Sequence, residues 1–267
     1  MKYLFDHLDS LGAVLAERGV YLLLDFDGTL SPIAMTPDAA ELPDETRREL
    51  ERLANCAACE VAVISGRALD DVQARVGIAG LTYIGNHGLE KARPHEPPER
   101  LELPELRAVI PVIKRELMIK LDAFPGAIVE DKGCAIAVHY RTVSPEQRPL
   151  VKAVVGGALE ACGGEAGLRL VTGSMVLELR PSNGRNKGTI VAELLASNGK
   201  RGSAKGPFAI YLGDDATDED AFRAVRGRGW GVLVGEPRIS YAEYYLRDPD
   251  DVRTLLRLVG EAACGGS

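Results

Sequence analysis

Val20-Tyr-Leu-Leu-Leu-Asp-Phe-Asp-Gly-Thr-Leu30 is the stretch on which the reading of this chain turns. Residues 20–24 form a short apolar run of the kind that makes a strand buried on both faces, and the run stops at two acids one residue apart, Asp25 and Asp27. In open α/β sheets ligands bind at the carboxyl ends of such strands, and Gly28 and Thr29 complete a tight turn whose amides can face an anion. A strand that merely ends in a polar turn looks the same, so the other strand ends have to decide.

They repeat the pattern. Upstream, Leu8, Leu11, Val14 and Leu15 give residues 6–18 a helical period closed by Gly19. Downstream, residues 31–43 read as loop and Asp44 as the cap of a helix to about residue 54. A second buried strand ends in Ser65-Gly66-Arg67 and is followed by a helix over 69–76; a third ends in Asn86-His87-Gly88. Later a helix over 187–197 closed by Gly199, a strand over 208–212 ending in Gly213-Asp214-Asp215, a helix opened by Thr217 or Asp218, a strand over 231–235 and a helix over 252–262 restore the alternation. The spacing of Tyr241, Tyr244 and Tyr245 reads as helical, packed with Trp230 against the sheet. The expected fold class is α/β: a Rossmann-like parallel sheet with helices on both faces.

An insert interrupts it. Prolines 94, 97, 98 and 104 make residues 91–104 read as a linker, after which the period changes to two. A helix over 105–121, a hairpin of 127–131 with 134–141 turning at Lys132-Gly133, a helix over 146–162 and a hairpin of 168–171 with 175–180 turning through Thr172-Gly173-Ser174 give an α+β unit, αββαββ. The expected domains are a core of residues 1–103 and 184–267 and an inserted cap of residues 104–183.

Composition excludes several classes. A net charge of -7 with no basic block leaves no electrostatic footprint for nucleic acid, so an anionic substrate requires local cations or a metal. Asp6, Asp9, Glu17 and Arg18 interrupt the first twenty residues, unlike a signal peptide, and no run is long enough to span a membrane. Cysteines at 56, 59, 134, 162 and 264 are odd in number and irregular, which reads as unpaired thiols in a reducing cytoplasm. Cys56-Ala-Ala-Cys59 has the spacing of a metal or redox pair but no second pair follows it, and it is read as structural. No obligatory protein partner is evident.

Parallel strands point one way, so the four polar turns share one edge. Carboxylates gathered there repel one another unless a cation is present; oxygen-only ligands suit Mg²⁺, and a carboxylate beside it can attack phosphorus to form an aspartyl phosphate. Lys187 stands at a helix start, the end that disfavours a cation, which points to a role.

These residues carry a resemblance. Asp25-Phe-Asp-Gly-Thr-Leu30, Ser65-Gly-Arg67, Lys187 and Gly213-Asp-Asp215 resemble, in order, the four motifs of the haloacid-dehalogenase-like phosphohydrolases. More narrowly, Gly85-Asn-His-Gly-Leu-Glu90, Glu130-Asp-Lys132, His139-Tyr-Arg141, Glu178-Leu-Arg-Pro181 and Gly213-Asp-Asp-Ala-Thr-Asp-Glu-Asp220 resemble the trehalose-6-phosphate phosphatases. The resemblance implies hydrolysis of trehalose 6-phosphate, with Asp25 as nucleophile, Asp27 as general acid and then base, and Ser65, Gly66 and Lys187 on the phosphoryl group. It implies Mg²⁺ on Asp25, the Asp27 carbonyl and Asp214, with Asp215 or Asp218 behind or through water. The insert would be a cap that closes over the sugar, with Glu130, Lys132, Arg141 and Glu178 as its contacts, and Arg67 and His87 facing substrate from the core. For His87 a structural role is equally open, and for His139 it is favoured. The family usually has a basic residue where this chain has Gly173-Ser174, so one sugar contact is missing and the sugar's identity is left open. The competing readings are the same chemistry on another sugar phosphate, a phosphotransferase, or a sugar-phosphate-binding regulator without activity.

Overall fold

The computed structural model describes residues 1–163, 167–198 and 206–265. They divide into two compact units, one made of Met1–Ala34, Ala40–Glu99 and Asn186–Ser267, the other of Met35–Ala39 and Arg100–Arg185. The strands in chain order are β1 (Lys2–Tyr3), β2 (Val20–Leu24), β3 (Cys59–Ile64), β4 (Thr82–Gly85), β5 (Glu90–Ala92) and β6 (Glu99–Arg100), then β7 (Ile128–Asp131), β8 (Ile136–His139), β9 (Leu168–Gly173) and β10 (Val176–Pro181), then β11 (Phe208–Gly213), β12 (Gly229–Val234) and β13 (Tyr244–Leu246). The α-helices are α1 (Leu11–Arg18), α2 (Asp44–Ala54), α3 (Leu69–Val76), α4 (Pro104–Leu121), α5 (Arg148–Ala158), α6 (Lys187–Asn198), α7 (Glu219–Val225) and α8 (Pro249–Cys264).

The large sheet runs β1-β13-β12-β11-β2-β3-β4-β5-β6. It is parallel from β1 to β4, and β5 returns antiparallel to β4. At its centre every residue of β2 is buried, because the strand has helices on both sides. Alternation sends Val20, Leu22 and Leu24 into one apolar layer with Leu15, Leu50, Leu53, Val72 and Leu255 from α1, α2, α3 and α8. Tyr21 and Leu23 enter the other, with Ile190, Val191 and Leu194 from α6 and Phe222 and Val225 from α7. The second unit is an antiparallel sheet, β7-β8-β10-β9, whose Ile136, Val138, Leu177 and Leu179 pack on Leu106, Ile110, Ile113 and Leu117 of α4 and Val151 and Val155 of α5.

Several sequence expectations change. The stretch 91–104 is not a plain linker: β5 and β6 add short strands to the sheet, and prolines 94, 97 and 98 mark the loop between them. Val176 pairs with Gly173, so the second hairpin turns at Ser174-Met175, with Met175 left-handed at φ 61. Tyr244 and Tyr245 belong to β13; an adjacent apolar pair fits either period, and Trp230 meets Tyr244 with ring centroids 4.9 Å apart. Residues 4–10 form a 3₁₀ turn kinked at His7 ahead of α1, Asp44 begins α2 instead of capping it, and α5 passes into a π turn at Leu159–Gly163. Gly199 lies outside the described residues. No helix among the described residues is long and apolar enough to cross a membrane.

The cysteine reading is overturned. Cys56 and Cys264 form a disulfide across 208 residues, with Cα atoms 5.9 Å apart. The pairing depends on α2 and α8 packing in one apolar layer, which irregular sequence spacing does not reveal. The argument from cysteines to a reducing compartment therefore loses its support. Cys59 is a buried free thiol, and burial pushes it up to about 11. A cross-link over so long a loop restrains the unfolded chain, so Cys264→Ala in the oxidised protein should cost about 2–4 kcal/mol. The check is the urea midpoint, which should fall; coincident curves would remove the disulfide from the stability of the fold.

Candidate active site

β2, β3, β4 and β11 are parallel, and the residues that leave them share one edge. Main-chain bonds continue the sheet past the strand ends: the Asp25 amide donates to Leu212 at 2.9 Å, Ser65 to Ile84 at 2.9 Å, His87 to Ser65 at 3.0 Å and Asn86 to Arg67 at 2.7 Å. The acidic turn is closed by the amides of Leu30 and Ser31 on the Phe26 carbonyl and by Gly28 on Ser31. Gly28 is left-handed, φ 81, and a Cβ there would lie 2.2 Å from Asp214 Oδ2, so only glycine lets this turn lie against Asp214.

Lys187 sits at the centre. Its Nζ is 2.8 Å from Asp25 Oδ1 and 2.6 Å from Asp218 Oδ1, with all three side chains buried. The Tyr211 hydroxyl donates to the same Asp218 oxygen at 2.5 Å, and Asp218 Oδ2 accepts from the Asp215 amide at 2.9 Å. Asn186 places the lysine: its Oδ1 accepts from the Thr189 amide at 2.8 Å, capping α6, while its Nδ2 donates to Asp220 at 2.9 Å. Burial opposes the ammonium, but Asp218 and Asp25 more than offset it and raise the Lys187 pKa, so the lysine is charged.

Asp25, Asp214 and Asp218 have carboxylate oxygens within 4.8 Å of one another. With all three carboxylates ionised against one ammonium, the largely dry site would carry a charge of -2. Burial, with repulsion from Asp218 and Asp214, holds Asp25 well above the usual carboxylate range although Lys187 pulls the other way. Burial and Asp218 push Asp214 up to about 7. Because Asp218 is engaged by Lys187 and Tyr211, Asp25 and Asp214 are the pair with oxygens to offer, and an all-oxygen set carrying excess negative charge fits a hard divalent cation. Asp215 turns elsewhere: its carboxylate accepts from the Ala216 and Asp218 amides and caps the 3₁₀ turn Ala216–Asp218. Asp218 then stands at the N-cap position of α7, one of the two openers expected, with the Asp215-capped turn leading into it.

The Asp27 side chain leaves the carboxylate cluster. Arg67 grips it with two bonds, Nε to Oδ2 at 2.8 Å and Nη2 to Oδ1 at 2.7 Å, and donates a third to Asp71 at 2.8 Å. Arg67 is thus directed at Asp27 and Asp71 and lies over the Phe26 ring. Burial disfavours its charge, but both carboxylates raise its pKa further, so this cation is permanent. Ser65 is buried and its Oγ accepts from the Arg67 amide at 3.1 Å. Asn86 and His87 hold left-handed φ values of 48 and 52, and a Cβ on Gly66 would come within 2.6 Å of His87 Nε2; Gly66 and His87 are in direct contact.

In the second unit Glu130, Ala137 and Glu178 are in register across β7, β8 and β10, so both glutamates stand on the sheet face opposite α4 and α5. Glu178 Oε1 is 2.9 Å from Lys132 Nζ and its Oε2 is 3.7 Å from Arg180; Glu130 meets His139 at 2.7 Å. Arg141 donates to the Ser174 carbonyl at 3.1 Å.

Sequence reasoning did not single out Tyr211, which reads as core in Phe208–Gly213. The signal available was period two: Tyr211 and Ala209 face α6, the helix that carries Lys187. The raised acids also set a pH dependence. Between the ordinary 3.8 and about 7, the folded metal-free chain keeps a proton on Asp214 that the unfolded chain releases. This contribution is present below about pH 4 and is lost as pH rises through 7, so unfolding free energy should fall by a few kcal/mol across that window. Urea midpoints in chelator will show this; Asp214→Asn or added Mg²⁺ should flatten the slope, and an equally steep slope in the variant would exclude Asp214 as its source.

Comparison with known proteins supports the same reading. The trehalose-phosphatase family model matches residues 23–249. The trehalose-phosphate phosphatase of Mycobacterium tuberculosis is 41% identical over 240 residues, covering 88% of this chain and 59% of that protein, so the chain spans about three-fifths of the relative's length. The C-terminal domain of the C. albicans trehalose-6-phosphate phosphatase superposes with a TM-score of 0.83 at 24% identity, over 97% of each chain. A haloacid dehalogenase-like hydrolase from Bacteroides thetaiotaomicron does so with 0.61 at 16% identity, over 91% of this chain and 100% of that one. The structural likenesses show a haloacid-dehalogenase-like α/β fold, and the sequence match over nearly the whole chain shows that it belongs to the trehalose-phosphatase family.

Proposed function

We propose that the chain is a Mg²⁺-dependent phosphoric monoester hydrolase that converts trehalose 6-phosphate and water to trehalose and phosphate through an aspartyl phosphate. The observation that supports this most directly is the Lys187 ammonium between Asp25 and Asp218, with Asp214 alongside. The Met1–Ala34, Ala40–Glu99 and Asn186–Ser267 unit is the catalytic core in this reading, and the other unit the specificity cap.

Asp25 attacks phosphorus, and Asp27 gives a proton to the departing sugar oxygen and then takes one from the hydrolytic water. Arg67 holds the Asp27 carboxylate in a fixed plane for both transfers. Lys187 neutralises phosphoryl oxygens while keeping Asp25 oriented, and Ser65 with the Gly66 backbone bounds the phosphoryl pocket next to His87. Asp25, Asp214 and the Asp27 carbonyl would hold the Mg²⁺, whose positive charge would keep both carboxylates ionised at neutral pH. Asp215, as cap of Ala216–Asp218, acts on the metal site by fixing Asp218. Sugar recognition is assigned to Glu130, Lys132, Arg141 and Glu178. Arg141 donates to the Ser174 carbonyl, which fixes its guanidinium beside the turn that lacks the family's usual basic residue.

The test is phosphate release from trehalose 6-phosphate and glucose 6-phosphate, with Mg²⁺ and with chelator. Turnover should require Mg²⁺, favour the disaccharide, and fall by about 10³-fold or more in Asp25→Asn, roughly 4 kcal/mol of barrier. Release that survives in that variant would remove Asp25 as nucleophile, isomer interconversion without free phosphate would mark a phosphotransferase, and binding without release a regulator. Separately, Glu178→Gln should raise KM for trehalose 6-phosphate about tenfold with a smaller change in kcat; an unaltered KM would take Glu178 out of sugar binding.

A further inference from the structure

Away from the carboxylates the first unit gathers a second set of ligand-type side chains: the sulfur atoms of Cys56, Cys59 and Cys264 lie within 4.8 Å of one another. Local structure brings them together from three elements. α2 ends at Ala54, the Cys56 amide donates to Leu53 at 3.1 Å, and the Cys59 amide donates to the Cys56 carbonyl at 3.0 Å, so the turn sets both cysteines on one side as β3 begins. Cys264 is the last residue of α8, which packs in the same apolar layer as α2. Cys59 is buried, while Cys56 and Cys264 are half-buried at the edge of that layer.

The disulfide uses two of these sulfurs and does not account for the third. A tether between α2 and α8 needs Cys56 and Cys264 alone, whereas Cys56-Ala-Ala-Cys59 plus one sulfur from a distant helix end is the spacing of a thiolate metal site. With metal–sulfur bonds of about 2.3 Å, tetrahedral thiolates stand about 3.8 Å apart, inside the spread seen here. Thiolates select soft or borderline cations over Mg²⁺, so this cluster and the carboxylates do not compete for one ion.

We propose that Cys56, Cys59 and Cys264 of the reduced chain form a second metal site, for one thiophilic d¹⁰ cation of the Zn²⁺ class. A dithiol reductant delivers two electrons and two protons to the Cys56–Cys264 bond and becomes a disulfide itself. The cation then displaces three thiol protons, giving a tris-thiolate of net charge -1 with water in the fourth position on the exposed side. The same two helices are thus joined in either redox state, by a covalent bond or by a metal.

The probe is Co²⁺, titrated anaerobically into the full chain reduced with a phosphine and stripped of metal. A sulfur-to-metal charge-transfer band should grow to one equivalent, collapse on adding one equivalent of Zn²⁺, and be absent from the oxidised chain. Oxygen ligands of the carboxylate site give no such band. Cys59→Ser and Cys264→Ala should each abolish it, whereas the double variant Cys134→Ala, Cys162→Ala should keep it. Cys59 is buried, so Cys264→Ala, at a helix end and checked for native circular dichroism, is the decisive arm. No band in the reduced wild type, a band that persists in Cys264→Ala, or a band lost in the double variant would overturn the proposal.

Discussion

One buried ammonium shared by two buried carboxylates governs the architecture of the core unit. Lys187 cannot remain charged at the start of a helix, inside the protein, without Asp25 and Asp218 beside it. The constraint reaches back into the fold. Asp25 must leave β2 beside the end of β11, α6 must begin over the face on which Tyr211 lies, and the Ala216–Asp218 turn must aim Asp218 inward. The parallel register that pairs Leu24 with Leu212 meets the first demand, and the Asn186–Asp220 bond helps meet the second.

Charge is then divided between two systems. Around Lys187, burial together with an excess of carboxylates raises Asp25 and Asp214 and creates an affinity for a divalent ion. Around Arg67 the charges match: Arg67 and Arg75 meet Asp27 and Asp71, so Asp27 is held by a guanidinium network and not by the acidic cluster. Two aspartates separated by one residue thus occupy different electrostatic surroundings, which is the condition for giving them different proton-transfer duties.

Much of this was legible in the chain because buried parallel strands are written as apolar runs and their ends as sudden polarity. Asp25, Ser65, Asn86 and Asp214 are visible that way, and Lys187 by standing at the unfavoured end of a helix. Three kinds of feature were hidden. Tyr211 is indistinguishable from core until the face of its strand is known. The Cys56–Cys264 bond depends on which helices pack together, a long-range fact that spacing does not encode. The Ser174-Met175 turn was misplaced by one residue because Gly173 is a stronger turn signal than Met175, yet strand pairing overrides the local preference and forces Met175 to φ 61. The same override turned a proline-rich stretch into a loop between edge strands.

The central position of β2 has a consequence for the making of the protein. Its neighbour β3 begins 35 residues after β2 ends, but its other neighbour, β11, pairs Phe208 with Val20. As the chain emerges from the ribosome, one edge of its most apolar strand therefore stays open while the whole second unit is synthesised and can pack its own local hairpins. Long-range pairing of this kind is entropically late, so the segment that carries Asp25 spends the greatest part of synthesis with an unpaired edge. The fold is most vulnerable to misassociation at the very strand on which the carboxylate site is built.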